Sequence, residues 1–172
     1  MRVLTVGHGT RSLEELVEML SAAEARTLVD VRRYPGSRRN PQFGREALAR
    51  ALSENGIEYR HAVELGGRLR NVSGEERFAC IRNDSFRSYT AHMDSPEWQR
   101  ALDEALAEPA PCLMCSETPW QRCHRRFIAE LLVARGHEVL HLLRPGTSEP
   151  HVLLDEAEVR DGKLYLCGQP VA

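Results

Sequence analysis

Lysine is nearly absent from this chain: of its 23 basic residues, Lys163 alone is lysine and the rest are arginines. No apolar run reaches the roughly 18 residues that a membrane-spanning helix needs. The first residues also lack the basic segment and long apolar stretch of a signal peptide. The 25 acidic residues balance the basic ones, which gives no general case for a nucleic-acid or membrane-surface protein. We therefore expect a cytoplasmic protein that has no membrane partner.

At 172 residues the chain is long enough for one domain with a real core and too short for two. We expect a single domain over residues 1–172, with an α/β core in residues 1–144 and a C-terminal β-hairpin in residues 145–172. Five cysteines, at positions 80, 112, 115, 123 and 167, form an odd set. In a reducing compartment we expect free thiols rather than a disulfide framework.

Short apolar segments alternate with amphipathic ones along most of the chain. The predicted strands are residues 2–6, 26–31, 57–63, 111–115 and 138–143. Helices are predicted after Ser12, over residues 45–54, around residues 86–93, over residues 96–107 and over residues 119–135. This alternation predicts a three-layer α/β fold, in which an open, mainly parallel, Rossmann-like sheet of order 3-2-1-4-5 carries helices on both faces.

In such sheets ligands bind beyond the carboxyl ends of the strands, near the point where strand order reverses. The loops that leave the first, second and fourth predicted strands are rich in polar residues. They read GHGTR, DVRRYPGSRRNPQF and CSETPWQRCHRR. We expect these three loops to line one pocket.

The loop after the fourth strand carries the densest chemistry. Thr118, Pro119 and Gln121 are typical of a helix start. Because the positive end of a helix lowers the pKa of a nearby thiol, Cys115 is a candidate thiolate nucleophile. Glu117 is a candidate general acid or base, and equally a carboxylate that stabilises the helix start.

Two histidines are candidates for moving the proton in such a reaction. His8 stands between Gly7 and Gly9 after the first strand, and His124 follows Cys123 in the fourth-strand loop. The glycines allow backbone conformations that other residues avoid, so the first loop suits a phosphate or carboxylate, although a plain turn explains it equally well. The predicted catalytic residues are Cys115, Glu117, His8 and His124.

The loop after the second strand is locally basic, since residues 32–50 hold six arginines and one carboxylate. The arginine guanidinium forms bidentate hydrogen bonds with carboxylate and phosphate, which the lysine ammonium group cannot form. Asp30 lies on the same side of its strand as Arg32, so it either forms an ion pair or orients that arginine toward a ligand. The predicted ligand-binding residues are Gly7, Arg11, Asp30, Arg32, Ser37, Arg38, Asn40 and Arg125.

A metal centre is an alternative for the cysteines. Cys112 and Cys115 have the spacing of a metal-binding pair, and Cys123 with His124 could complete four ligands. Because residues 111–115 form a strand, Cys112 points away from the loop where the others gather. Cys123 also falls on an apolar helical stripe and can be a core residue. We therefore predict no metal site, and a Cys/His metal protein stays an alternative.

Nucleic-acid binding by the arginine-rich residues 32–50 is the main rival function. Tyr34 and Phe43 are the aromatic side chains near those arginines, so stacking with bases would be limited. A nucleic-acid partner is therefore less favoured than a small molecule.

Four segments together resemble a known family. GHGTRSLEELVEML, LVDVRRYPGSRRNPQF, GIEYRHAVELGGR and LMCSETPWQRCHRRFIAELL are similar, in order and spacing, to the domain of unknown function 488 family of bacteria and archaea. The resemblance covers residues 3–142. It implies a small cytosolic α/β protein and carries no established reaction.

The combined pattern predicts an enzyme, a hydrolase or a transferase, that uses Cys115 or Glu117 on a phosphorylated or otherwise anionic small molecule such as a nucleotide. A phosphatase-type cysteine loop would need arginine six positions after the nucleophile, and Gln121 stands there instead. The sequence indicates no particular substrate, cofactor or oligomeric state.

Overall fold

A computed structural model describes residues 1–36 and 38–171. Within these ranges six strands form the main sheet and three form a smaller antiparallel sheet. The strands are β1 (Arg2–Gly7), β2 (Thr27–Asp30), β3 (Glu58–His61), β4 (Pro111–Cys115), β5 (Glu138–Arg144), β6 (Thr147–Pro150), β7 (Ala157–Arg160), β8 (Lys163–Leu166) and β9 (Gln169–Val171). The α-helices are α1 (Leu13–Ala22), α2 (Arg45–Glu54), α3 (Asp84–His92), α4 (Pro96–Ala107) and α5 (Arg125–Ala134).

The main sheet confirms the predicted α/β class, but the predicted strand order is wrong. The order is β3-β2-β4-β1-β5-β6, so β4 lies between β1 and β2. Cys112 pairs with Leu4 on one side and with Leu28 on the other. β4 is buried along its whole length, as a central strand must be, but β1 is almost as apolar. Burial alone therefore could not decide which of the two strands is inserted between its neighbours.

The C-terminal segment contains the predicted hairpin and two further strands. β7 and β8 pair across a turn at Asp161 and Gly162, both with positive φ, a backbone conformation that suits a tight hairpin. β9 then adds to β8. β6 pairs antiparallel with β5 and makes the main sheet mixed.

The predicted start of α1 is confirmed and that of α5 is wrong. Ser12 caps α1 by accepting a hydrogen bond from the backbone N–H of Glu15 at 3.1 Å. α5 begins at Arg125, not at Pro119. Trp120 starts a short 3-10 turn and is buried against His141, and Cys123 then adopts an extended backbone (φ −121°, ψ 149°). This packing outweighs the local capping signal at Thr118.

Each face of the main sheet carries its own hydrophobic core. α1 and α2 cover one face, and α3, α4, α5 and the small sheet cover the other. Residues of β4 alternate between these cores, with Cys112 on the α1–α2 side and Cys115 on the α5 side. No helix in the described ranges is both long and apolar enough to cross a membrane.

The expectation that all five cysteines are free thiols is wrong. Cys80 and Cys167 form a disulfide that ties the segment before α3 to the small C-terminal sheet. The two residues are 87 positions apart, so their pairing depends on how the C-terminal sheet folds back and leaves no local mark in the sequence. Cys112, Cys115 and Cys123 are free and buried.

Candidate active site at the carboxyl edge of the sheet

A cavity of about 730 Å³ opens at the carboxyl ends of β1, β2 and β4. Residues from all three predicted loops line it, and residues 67–68 and the start of α3 complete the wall. The loops meet despite the changed strand order, because β2, β4 and β1 are consecutive neighbours in the sheet. The first two loops also pair directly with the fourth-strand segment: His8 N–H donates to the Cys115 carbonyl and Val31 N–H to that of Met114.

Two sulfurs and an imidazole form the floor of this cavity. The Nδ1 atom of His124 lies 3.7 Å from the Sγ of Cys115 and 3.7 Å from the Sγ of Cys123. Its Nε2 lies 3.1 Å from the carbonyl oxygen of Val31. Since a carbonyl oxygen only accepts, Nε2 carries a hydrogen and Nδ1 is the atom left to exchange a proton with the sulfurs.

The pKa values of the two thiols at the floor are shifted in opposite directions. The hydrogen bond from Cys123 lowers the pKa of Cys115 well below the usual thiol value; burial opposes this, while His124 and Arg125 lower it further. Burial raises the pKa of Cys123 well above that value. Cys115 is therefore the thiolate, and Cys123 is the thiol that donates a hydrogen bond to it.

The same three side chains could hold a metal ion. Their ligand atoms lie within 4.8 Å of one another, and they are the sole such histidine, cysteine or carboxylate cluster among the described residues. Cys112 does not belong to it, because it packs in the other core. Burial also raises the pKa of Cys112. The four-ligand arrangement that the sequence spacing allowed is therefore not formed.

One wall of the cavity is a hydrogen-bonded chain of three residues. Asp30 is fully buried and accepts hydrogen bonds from the Arg32 guanidinium, at 2.8 Å from Nε and 2.6 Å from Nη2. Arg32 in turn donates from Nη1 to Nε2 of His8 at 3.2 Å, and the Nδ1 of His8 lies 2.9 Å from the carbonyl of Gly9. Burial lowers the pKa of His8. Both ring nitrogens of the neutral histidine are therefore engaged, so it positions Arg32 and has no nitrogen left for a substrate.

Guanidinium groups dominate the open side of the cavity. Arg33, Arg39, Arg68 and Arg122 line it together with Arg32. Arg33 donates to the carbonyl of Gly67 at 3.1 Å, while Arg39, Arg68 and Arg122 are exposed. Among the described lining residues Glu117 is the single carboxylate, so the cavity carries an excess of positive charge.

The structure brings some predicted site residues into the cavity and leaves others outside. His8, Arg32, Asn40, Cys115, Glu117 and His124 line it. Asp30 and Gly7 lie beneath, and Arg38 is exposed away from it. Ser37 lies outside the described residues.

Arg11 and Arg125 bind other groups of the protein and are not available to a ligand. Arg11 pairs with Glu15 and donates to the carbonyl of Leu143. Arg125 is buried and holds the carbonyls of Glu117 and Thr118 at 2.6 and 3.2 Å. These two arginines shape the loop over the cavity and do not line it.

Two glycines fit where no side chain could. A Cβ atom on Gly7 would lie 2.0 Å from the Glu117 carbonyl oxygen. The loops after β1 and β4 can therefore touch only because residue 7 is glycine. A Cβ atom on Gly67 would lie 2.8 Å from Nδ1 of His124. Gly67 therefore allows the chain after β3 to pass directly against the floor of the cavity.

Sequence reasoning missed part of this site. It treated Cys123 as a metal ligand or core residue, it considered Arg33 and Arg39 only as members of the basic loop, and it gave no binding role to Gly67, Arg68 or Arg122. The sequence did contain one indication of these residues, because the polar segment GGRLR follows β3 just as the other polar loops follow β1, β2 and β4. Since the carboxyl ends of parallel strands share one edge of the sheet, this segment could have been placed at the same cavity.

Comparison with known proteins gives one family match. The family model described as "Domain of unknown function DUF488" matches residues 12–132, a range that includes β2, β4, the floor of the cavity and all the arginines that line it. No curated protein and no solved structure matches the chain.

Proposed function

The chain belongs to the domain of unknown function DUF488 family, and from its site we propose an enzyme that binds a phosphorylated or otherwise anionic small molecule and acts on it through Cys115. The observation that carries this proposal is the position of the Cys115 sulfur on the floor of a cavity whose open side is lined by guanidinium groups. Nucleophile and anion-binding groups thus face the same space.

The charge of the cavity supports an anionic ligand. Arg39, Arg68 and Arg122 present guanidinium groups that form charge-assisted hydrogen bonds with carboxylates and phosphates. A volume of about 730 Å³ lies within the usual range for pockets that enclose a small molecule, roughly 300–1,000 Å³. Tyr34 is two-thirds exposed at the rim, where its ring can cover the apolar part of a ligand.

Two neighbours of Cys115, Cys123 and His124, support its role as the nucleophile. Cys123 and His124 lower its pKa, and a thiolate is the reactive form of cysteine. His124 can return a proton to a leaving group through Nδ1. Glu117, exposed at the cavity, is placed for proton transfer on the substrate side, and His8 keeps Arg32 in place.

Protection of Cys115 against alkylation tests this function. Iodoacetamide should modify Cys115, and adenosine triphosphate or inorganic phosphate, used as anionic probes, should slow the reaction in a saturable manner. Arg68→Gln and Arg122→Gln should weaken the protection. Arg26→Gln, which alters an exposed arginine at the opposite end of β2, should leave it unchanged. Equal alkylation rates with and without both probes would contradict the proposal.

A further inference from the structure

Cys123 has a feature that a single nucleophile does not require. It is a second free thiol, buried beside Cys115, and both sulfurs lie 3.7 Å from the same imidazole nitrogen. Cys123 also reaches the cavity surface. Its extended backbone interrupts the helix start that the sequence favours, and its side chain lies at the floor beside His124. A residue that only filled the core would not need to reach this cavity.

We propose that Cys115 and Cys123 form a dithiol pair that reduces a small anionic disulfide bound by the cavity arginines. This inference rests on the proposed function, because it uses the same thiolate and the same anion-binding groups. It adds the class of substrate, a disulfide that carries carboxylate or phosphate groups, and a role for the second thiol.

The reaction has two balanced steps. The Cys115 thiolate attacks one sulfur of the substrate, R–S–S–R′, which forms a Cys115–S–S–R mixed disulfide and releases R′–S⁻. Cys123 then loses its proton and attacks Cys115 Sγ, which forms the Cys115–Cys123 disulfide and releases R–S⁻. Two electrons pass from the enzyme to the substrate, and two molecules of an external thiol, which are themselves oxidised to a disulfide, restore the dithiol.

The acid–base groups of the floor suit this sequence. Cys115 is the thiolate before the first step, and its negative charge disappears when the mixed disulfide forms. This removes a negative charge that, after burial, had helped to raise the pKa of Cys123. His124 Nδ1 is in reach of Cys123 Sγ and can accept its proton, and it can then pass that proton to the leaving thiolate in the open cavity.

The surroundings of Cys115 favour attack by a thiol over attack by water on the covalent intermediate. Among the described residues, the polar side-chain atoms at its sulfur, apart from the Cys123 thiol, are His124 Nδ1 at 3.7 Å and Ser116 Oγ at 3.9 Å. Gln121 stands where a phosphatase-type loop carries arginine. The group best placed to displace a leaving group from Cys115 is therefore the thiol of Cys123.

The other cysteines cannot replace Cys123 in this role. Cys112 packs in the core on the opposite face of the sheet, and Cys80 and Cys167 are joined to each other. Among the described residues, Cys123 is thus the one free thiol on the same side of β4 as Cys115.

Peptide mapping without reduction tests the pair directly. Trypsin cuts after Arg100 and Arg122, so a Cys115–Cys123 bond would link residues 101–122 to residues 123–125. Wild-type protein treated with oxidised glutathione should give this linked peptide. Cys123→Ser should instead accumulate glutathione on Cys115, and Cys115→Ser should give neither product. Cys112→Ser, which alters the same tryptic peptide, should behave as wild type.

An anionic and a neutral disulfide together test whether the substrate is bound through its negative charge. The double variant Arg68→Gln, Arg122→Gln should slow oxidation by glutathione disulfide about tenfold or more, the effect of losing charge-assisted hydrogen bonds. It should leave oxidation by the neutral bis(2-hydroxyethyl) disulfide nearly unchanged. Equal slowing with both disulfides would overturn the assignment of an anionic substrate.

Three further results would overturn the dithiol pair. The first is absence of the linked peptide in wild-type protein. The second is failure of Cys123→Ser to hold glutathione, when circular dichroism and an intact Cys80–Cys167 bond show that the variant is folded. The third is one tightly bound metal ion per chain that is lost in Cys115→Ser. If ATP and phosphate protect Cys115 from alkylation while no linked peptide forms, the proposed function stands and this inference fails.

Discussion

Gly67 lies so close to His124 that a Cβ atom on the glycine would stand 2.8 Å from Nδ1 of the imidazole and 3.0 Å from its Cγ. The same Nδ1 faces the sulfurs of Cys115 and Cys123. The ring is therefore held between the loop after β3 and the two thiols, and its Nε2–H group anchors it to Val31. The absence of a side chain at Gly67 keeps the imidazole at the sulfurs.

Gly67→Ala should move His124 away from Cys115 without unfolding the protein. Because the ring then no longer supports the thiolate, we expect iodoacetamide to alkylate Cys115 about tenfold more slowly at a pH below its pKa, the effect of a pKa rise of roughly one unit. Gly36→Ala is the matched control, since a Cβ atom there meets nothing within 4 Å. Equal rates for both variants would show that Gly67 does not position the imidazole.

Alkylation should separate Cys115 from Cys112 by pH. The pKa of Cys115 lies well below the usual thiol value and that of Cys112 lies above it. The rate at Cys115 should therefore rise with pH and level off below pH 8.5, the approximate pKa of an ordinary thiol, while Cys112 reacts only on unfolding. Peptide mapping after labelling at several pH values measures both. A Cys115 midpoint at or above that pH would contradict the structure.

Asp30→Asn should destabilise the fold because it leaves the buried guanidinium of Arg32 without its counter-charge. Arg32 is 6% exposed and Asp30 is fully buried, and breaking a buried pair costs about 3–5 kcal/mol. Asp84→Asn removes the partner of Arg87 at an exposed position and should cost under about 0.5 kcal/mol. Urea denaturation measures both values. A loss below about 1 kcal/mol for Asp30→Asn would show that the pair is not held as described.

His141 should make the fold sensitive to acid. Burial, together with His151 and Arg125, lowers the pKa of His141 to about 3, whereas the unfolded chain has the ordinary value near 6.5. The unfolded state therefore takes up a proton first as the pH falls below 6.5. This costs the folded state up to about 1.4 kcal/mol per pH unit until the pH reaches 3.

His141→Gln should remove that part of the pH dependence. The variant loses the stacking of the ring on Trp120 and should be less stable at pH 7, yet its free energy of unfolding should fall less steeply between pH 6.5 and pH 4. Denaturation curves at several pH values give the two slopes. Identical slopes would mean that His141 is already protonated in the folded protein.

The parts of the fold that the sequence predicted are those with strong local signals. β4 is an uninterrupted apolar segment that ends at Cys115, and Ser12 with Glu15 caps α1 as the residue types indicate. Polar loops at the ends of buried strands were enough to predict the shared cavity. This prediction survived the wrong strand order because it needed only that the three strands be close together.

The parts that the sequence could not predict depend on contacts between distant residues. The helix signal at Thr118 and Pro119 was overridden by the packing of Trp120 on His141. The closeness of Gly67 to His124 arises from 56 intervening residues that fold around the site. Arg11 and Arg125 were predicted to bind ligand, yet both donate hydrogen bonds to backbone carbonyl oxygens of the protein. The fold brings these carbonyls close to the arginines, so the sequence alone could not show the contacts.

We infer that the thiolate of Cys115 and an anion-binding cavity share one space, and the rates of two alkylating reagents can decide whether they do. Iodoacetate and iodoacetamide differ by a single negative charge and little else. We predict that the ratio of their rates at Cys115 exceeds the ratio for free cysteine and falls to that value in the Arg68→Gln, Arg122→Gln variant. A ratio at or below that of free cysteine in the wild-type protein would contradict the account.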